Sequence, residues 1–503
     1  MAHATHRGTA ATATATATTI TTALALVATL LAGCASAPTS AVLLQQAEAA
    51  LQGRAGTQSL VVTGMGSGST FGQAWQPTMA WPGLNYSVMK RSYNLETGAF
   101  AEEFARSRAE PNGGGAVPLM GLGEQRATGF ARDGHAWTLA PTGTFAAGPV
   151  ALPGRINDLW TTTPQSALAA ARRYNAVAGQ RSEGGATFNT LSFQVPGQLK
   201  ATLVLDRAGL VTRVESVLPH PVLGDTAATA EFIDYAPTAA VGGLFPQRIR
   251  QSQGGMPVLD LKVTSVTTGA VDINVPDNVR AFAENVAVQV AAPGVWFLAG
   301  GSHNSVAIEL SDQIVLVESP LYDGRALAVI AAANNLVAGK TVKTVVNSHH
   351  HFDHAGGLRA AVGSGAVLIT SSMAKPYFER VFANANSVKP DHLAQSGRKA
   401  SIVAAGDKTV LRDSLRNVEV HEMKGSVHAQ GFMMVWLPAE KLLIQADAYT
   451  PAAPNSPPPA VPNANHVNLV QNLERLGLQP ERLLPLHSRI VPYSELLAQI
   501  GRR

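Results

Sequence analysis

A chain of 503 residues, 46% hydrophobic and only 14% charged, is too long for one ordinary domain; it suits about two to three globular domains with large buried cores and excludes a largely disordered protein. Its formal charge of +4, with no Lys/Arg-rich run beside it, gives no basis for nucleic-acid binding. The single cysteine, Cys34, excludes an intramolecular disulfide and cysteine-ligated zinc, so any metal must be held by nitrogen and oxygen.

The chain begins with an Ala/Thr-rich stretch carrying a weakly basic start at Arg7, followed by the apolar run ITTALALVATLLAGCAS, which ends in Leu31-Ala32-Gly33-Cys34. Threonines dilute the run and small residues end it, which favours a cleaved signal over a short membrane anchor. This stretch resembles a bacterial lipoprotein signal. The resemblance implies removal of residues 1–33, lipidation of Cys34 and a linker over residues 34–40. The mature protein is then exported and tethered to a membrane by its acyl chains. Ala35, where inner-membrane retention would call for aspartate, implies the outer membrane, facing the periplasm.

Residues 41–286 read as short β segments, among them QSLVVTGMG, LNYSVMKRSYN, KATLVLDRAGLVTRVESVL and LDLKVTSVTTGAVDINV. They alternate apolar with polar residues, as an antiparallel sheet with one wet face requires. One helix is expected among them, with Thr163 as N-cap, Pro164 at the first position and Gly179 as its stop. The glycine-rich residues 64–72 lack a following helix and a Gly-Lys-Ser/Thr, so a hairpin turn is expected there rather than a phosphate loop. In element order this half resembles the half-barrel of periplasmic lipoprotein carriers.

Around Pro293 the rhythm changes to strand, helix, strand, helix, which marks an α/β domain over residues 291–503. VVNSHHHFDHAGG follows a buried strand and precedes a helix, where α/β folds place their sites. Its His349, His351, Asp353 and His354 spell H-x-H-x-D-H. In an extended segment alternate side chains share a face, so His349 and His351 can grip one ion while His350 points away. Asp353 and His354 can face a second ion. Gly356 and Gly357 let the backbone pass close by. Further along, His428 in a loop and Asp447 and His487 at strand ends complete a candidate ligand set. His303, His421 and His466 read as structural or surface histidines.

With these residues the C-terminal half resembles the metallo-β-lactamase-fold hydrolase superfamily, an αββα sandwich. The resemblance implies that His349, His351 and His428 bind one ion and Asp353, His354 and His487 a second. Asp447 would bridge the two, and Asp353 and Asp447 would be the catalytic carboxylates. Two Zn²⁺ ions are the expected cofactors, with iron or manganese able to occupy similar sites. Two departures are visible: Ser488 stands where the superfamily has glycine, and Glu318 where it has aspartate.

Asp447 stands where the antibiotic-degrading members have cysteine or serine, which implies a small-molecule ester, thioester, lactone or amide substrate ahead of a β-lactam. No Gly-x-Ser-x-Gly nucleophile competes with this reading. The alternatives are a β-lactamase and a non-catalytic lipoprotein that binds a lipid or apolar ligand and keeps a vestigial metal site. The proline-rich residues 450–466 read as one wall of the cleft or as a surface connection.

Overall fold

The computed structural model describes residues 38–52, 57–110, 113–115 and 123–502. The expected signal and Cys34 lie outside the described residues. From Pro38 onward the chain is one compact unit.

Thirteen antiparallel strands form the first sheet, and the chain builds it as two meanders. Six strands run outward from Ser59–Ser69 to Phe145–Ala147. Two helices, Leu152–Thr161 and Pro164–Arg173, then carry the chain to the far edge at Val177–Glu183, and seven strands return until Met256–Thr267 pairs with Ser59–Ser69. Local alternation decides which face is buried, and bulges reset it. In Gly83–Asn94 the buried residues are Leu84 and Tyr86, then Met89, Arg91 and Tyr93; the change of phase falls at the register shift between Tyr86 and Val88. The apolar face is covered by the chain's own helices: Leu43 and Ala47 of Ser40–Ala50, Leu159 and Trp160, and Leu168 pack into one core with Leu203 and Leu261 of the sheet.

Three expectations change here. The helix capped by Thr163 ends at Arg173 rather than near Gly179. Asn175 takes a left-handed conformation (φ 51°), and the β-branched Val177 opens a strand. The helix Leu152–Thr161 escapes a sequence reading because Pro153 and Gly154 look like breakers, yet proline is tolerated in a first turn. Residues 64–72 are not a hairpin turn, because the strand runs on to Ser69. A Cβ on Gly66 would lie 2.0 Å from the Asp260 carbonyl oxygen, so this glycine permits close strand approach instead of turning the chain.

The C-terminal half is the expected pair of facing sheets. Seven strands, from Ala287–Ala292 to Ile402–Ala405, form one, and six, from Lys408–Arg412 to Val491–Pro492, form the other. Phe297, Val317, Val346, Val435 and Ile444 fill the space between them. Asp323–Asn334 and Leu358–Gly363 cover the outside of the first sheet; Ala464–Leu476 and Tyr493–Gln499 pack against the second. Ile314–Val317, Val342–Val346 and Val367–Ser371 are parallel neighbours with every residue between Ile314 and Val317 buried. Such strands deliver their C-terminal ends together at one edge.

Candidate metal centre

Val342–Val346 runs out into residues 347–351, the last of them, His351, extended (φ −60°, ψ 147°), and the short helix Phe352–Ala355 follows. That extension puts the His349 and His351 rings on one side. The His428 loop meets them: His349 Nε2 to His351 Nδ1 is 3.0 Å, His351 Nδ1 to His428 Nε2 2.9 Å, and His428 Nε2 to His349 Nε2 3.1 Å. The turn into the helix aims Asp353 and His354 elsewhere, and His354 Nε2 lies 3.0 Å from His487 Nε2. A Cβ on Gly356 would stand 1.9 Å from the Leu321 carbonyl oxygen, so only glycine lets this turn close.

Asp447 stands between the two groups. Its Oδ2 is 2.7 Å from His354 Nε2, 3.5 Å from His349 Nε2 and 3.6 Å from His428 Nε2, while its Oδ1 is 3.2 Å from His487 Nε2. Burial opposes its charge, but the His354 and His428 rings outweigh burial and hold the carboxyl well below the usual range. Burial also opposes charge on His354, yet Asp447 and Asp353 push it well above the ordinary histidine value. His349 and His351 are driven well below theirs by burial first and by neighbouring rings second. Neutral imidazole is the form that ligates.

These donors fit metal ions better than they fit one another. His351 Nε2 donates to the Ala74 carbonyl at 2.9 Å, so the neutral ring presents Nδ1 as a bare lone pair to two further ring nitrogens. Asp447 Oδ2 is buried with no well-directed hydrogen bond. A cation in each group would satisfy lone pairs that hydrogen bonding leaves opposed.

The nitrogens turned away from the centre are also held. His349 Nδ1 meets Ser348 Oγ at 2.9 Å, and His354 Nδ1 meets Glu318 Oε2 at 3.0 Å. Glu318 is fully buried and accepts from Asn347 Nδ2 and from the Ser348 backbone N–H as well. The glutamate departure thus braces a candidate ligand. Ser488, at the other departure, adopts φ 97° despite its side chain, and its carbonyl accepts from Asn304 Nδ2 at 2.7 Å.

The N-terminal half reaches into this centre, and the sequence carried no sign of it. Gln73 Nε2 donates to Asp353 Oδ1 at 2.8 Å, and the Ala74 carbonyl accepts from both His350 Nε2 and His351 Nε2. Trp75 Nε1 donates to the Ser426 carbonyl at 2.9 Å. A Cβ on Gly115 would sit 2.7 Å from His428 Cε1 and 2.8 Å from His351 Cε1. Gln73 and Ala74 lie in a stretch with no periodicity, some 280 residues from the aspartate and histidines they support.

His350 points out of the triangle toward Ala74. His421 pairs with Glu419 at 2.9 Å, and His466 packs edge-on against Tyr449. His303, expected as a structural or surface histidine, lies beside the second group. It is buried, its Nε2 is 3.2 Å from Asp353 Oδ2, and its ring centroid is 4.1 Å from that of His487. The isolated histidine of GSHNS has no motif around it that could have announced this. Residues 450–466 contribute no ligand atom to either group.

Residues 298–487 match the family model of the Metallo-beta-lactamase superfamily. No curated protein matches the chain. Among solved structures it is similar to a metallo-beta-lactamase from Pontibacter korlensis, with 16% identity over 43% of this chain and 98% of that one and a TM-score of 0.33. The mono-zinc form of FIM-1 from Pseudomonas aeruginosa is similar at 16% identity over 43% of this chain and 93% of its own, TM-score 0.33. A metallo-beta-lactamase from Hirschia baltica gives 16%, 44%, 99% and 0.33.

Proposed function

We propose that this chain, with its metallo-beta-lactamase superfamily domain at residues 298–487, is a metal-dependent hydrolase with two adjacent metal sites. One observation carries the reading: a triangle of ring nitrogens about 3 Å on a side, joined through a single partly buried carboxylate, Asp447, to a second His/Asp group. Bound metal supplies Lewis acidity and a water of lowered pKa at neutral pH. His349, His351 and His428 would hold the first ion and Asp353, His354 and His487 the second, with the Asp447 side chain between the two groups. Zinc suits these donors first.

Exposure suggests where substrate enters. The His349 and His354 side chains are fully buried, whereas those of Asp353, Asp447 and His487 keep 34%, 19% and 19% of their surface. A small ester, thioester, lactone or amide would reach the centre from that side, and aspartate at position 447 favours these over a β-lactam. Part of the large sheet's apolar face packs against Leu43, Trp160 and Leu168 of the chain's own helices.

Lipidation at Cys34 and export to the outer membrane are part of the same proposal, resting on the Leu31–Cys34 pattern. Among the described residues no helix is long and apolar enough to cross a membrane. Acyl labelling of wild type and Cys34→Ser tests the anchor, and equal labelling of both overturns it. The hydrolase reading is tested by metal analysis and turnover on ester, thioester, lactone, amide and β-lactam substrates. Undiminished hydrolysis by metal-free protein overturns it.

A further inference from the structure

We propose that His303 is a further ligand of the second metal site, acting with Asp353, His354 and His487; this rests on the two-site reading above. The turn between Val295–Ala299 and Ser305–Glu309 places it there. Gly301 takes a left-handed conformation (φ 63°), and Asn304 clamps the turn to the segment that bears His487. Its N–H donates to the Leu486 carbonyl at 2.8 Å and its Nδ2 to the Ser488 carbonyl at 2.7 Å. The departure of Ser488 from glycine therefore sits at the joint that aligns His303 with His487.

The geometry suits a ligand. One donor atom each from His303, Asp353, His354 and His487 lie within 4.8 Å of one another. Two metal–ligand bonds of about 2.0–2.2 Å span about 4.4 Å when opposed, so this set closes around one ion with shifts of a few tenths of an ångström. The far side of the ring follows the pattern of the other ligands. His303 Nδ1 meets Ser302 Oγ at 2.8 Å, as His349 Nδ1 meets Ser348 Oγ, and His487 Nδ1 meets the Ser302 carbonyl at 3.1 Å. An imidazole that gives one nitrogen to a metal donates its other N–H to such an acceptor. Ser302 thus orients two rings at once.

With Asp447 shared, the second site counts five protein donors and the first four. A fifth donor exceeds the tetrahedral set that zinc prefers and suits ions of higher coordination number, such as Fe²⁺ or Mn²⁺. The two sites then differ in metal preference.

The test is titration of the metal-free full-length protein with Co²⁺, reading stoichiometry, affinity and the visible absorption bands. Wild type should take up two ions. His303→Gln keeps an N–H that could donate to Asp353 but removes the imidazole. It should weaken one of the two ions by about tenfold or more and shift that ion's absorption bands. In His303→Ala, free imidazole should restore the lost affinity. Two ions bound by His303→Gln with wild-type affinities and spectrum would overturn this proposal alone. Wild type that binds only one ion would overturn the two-site reading and this inference with it. Thermal unfolding of both metal-free variants separates a misfolded protein from one that has lost a ligand.

Discussion

Nε2 of His351 donates to the carbonyl oxygen of Ala74 at 2.9 Å, across 277 residues of sequence. The bond joins a candidate ligand to the half of the chain whose described residues supply no ligand atom to either group. It also sets the ring's tautomer, because a neutral imidazole with Nε2 protonated must present Nδ1 to His349 and His428. Gln73, one residue earlier, does the same service for Asp353. The N-terminal half therefore touches the candidate metal centre through the loop at Gln73 and Ala74 and again at Gly115, beside His351 and His428.

Removing that support should cost metal affinity without unfolding the protein. Gln73→Leu takes the donor from Asp353 Oδ1, and a lost bracing contact typically lowers metal affinity about 10–100-fold. Calorimetric titration should find the second ion weakened and the first unchanged; equal affinities would show that the loop merely lies nearby.

Asp447→Ala should separate the two sites. Bound metal should fall from about two ions toward one, and turnover should fall by a larger factor, since a two-metal mechanism needs both ions together. His350→Ala removes a ring that meets the Ala74 carbonyl outside the triangle and should leave metal stoichiometry intact. Its cost should be about 1 kcal/mol of stability for the lost bond to Ala74. Elemental analysis beside denaturant unfolding reads both effects, and loss of metal in His350→Ala would contradict the assignment.

Glu318→Gln keeps the size of a fully buried side chain but removes the carboxylate that faces His354 Nδ1 at 3.0 Å. Weaker polarisation of the ring should loosen the second ion by about tenfold. Glu318→Asp shortens the reach by one methylene and should recover part of that loss if the carboxylate is what matters.

Acid should destabilise the protein partly through His220. Burial pushes this ring down to about 3, and its Nδ1 accepts from the Val222 and Leu223 backbone N–H groups. The unfolded chain binds that proton near pH 6.5. Stability is therefore complete above about 6.5 and falls as pH drops toward the folded value, by up to about 1.4 kcal/mol per pH unit for this one group. Denaturant unfolding at several pH values should have a shallower slope, by about one proton, in His220→Asn. An unchanged slope would mean that other groups carry the acid response.

What the sequence determined by itself was the local part. His349, His351, Asp353 and His354 are readable because strand and turn geometry fix which side chains share a face within six residues. His428, Asp447 and His487 are readable because each ends or follows a buried apolar run. The change from antiparallel alternation to an α/β rhythm near Pro293 is readable for the same reason: burial imposes a period on neighbouring residues. Tertiary structure alone decided the rest. Only folding brings the Ser302-His303 turn against His487, Glu318 under His354, and Gln73 and Ala74 against Asp353 and His351. Those contacts join loops in which no repeating burial constrains the residue types, so their partners are chosen by packing across as many as 280 positions and leave no periodic trace in the chain.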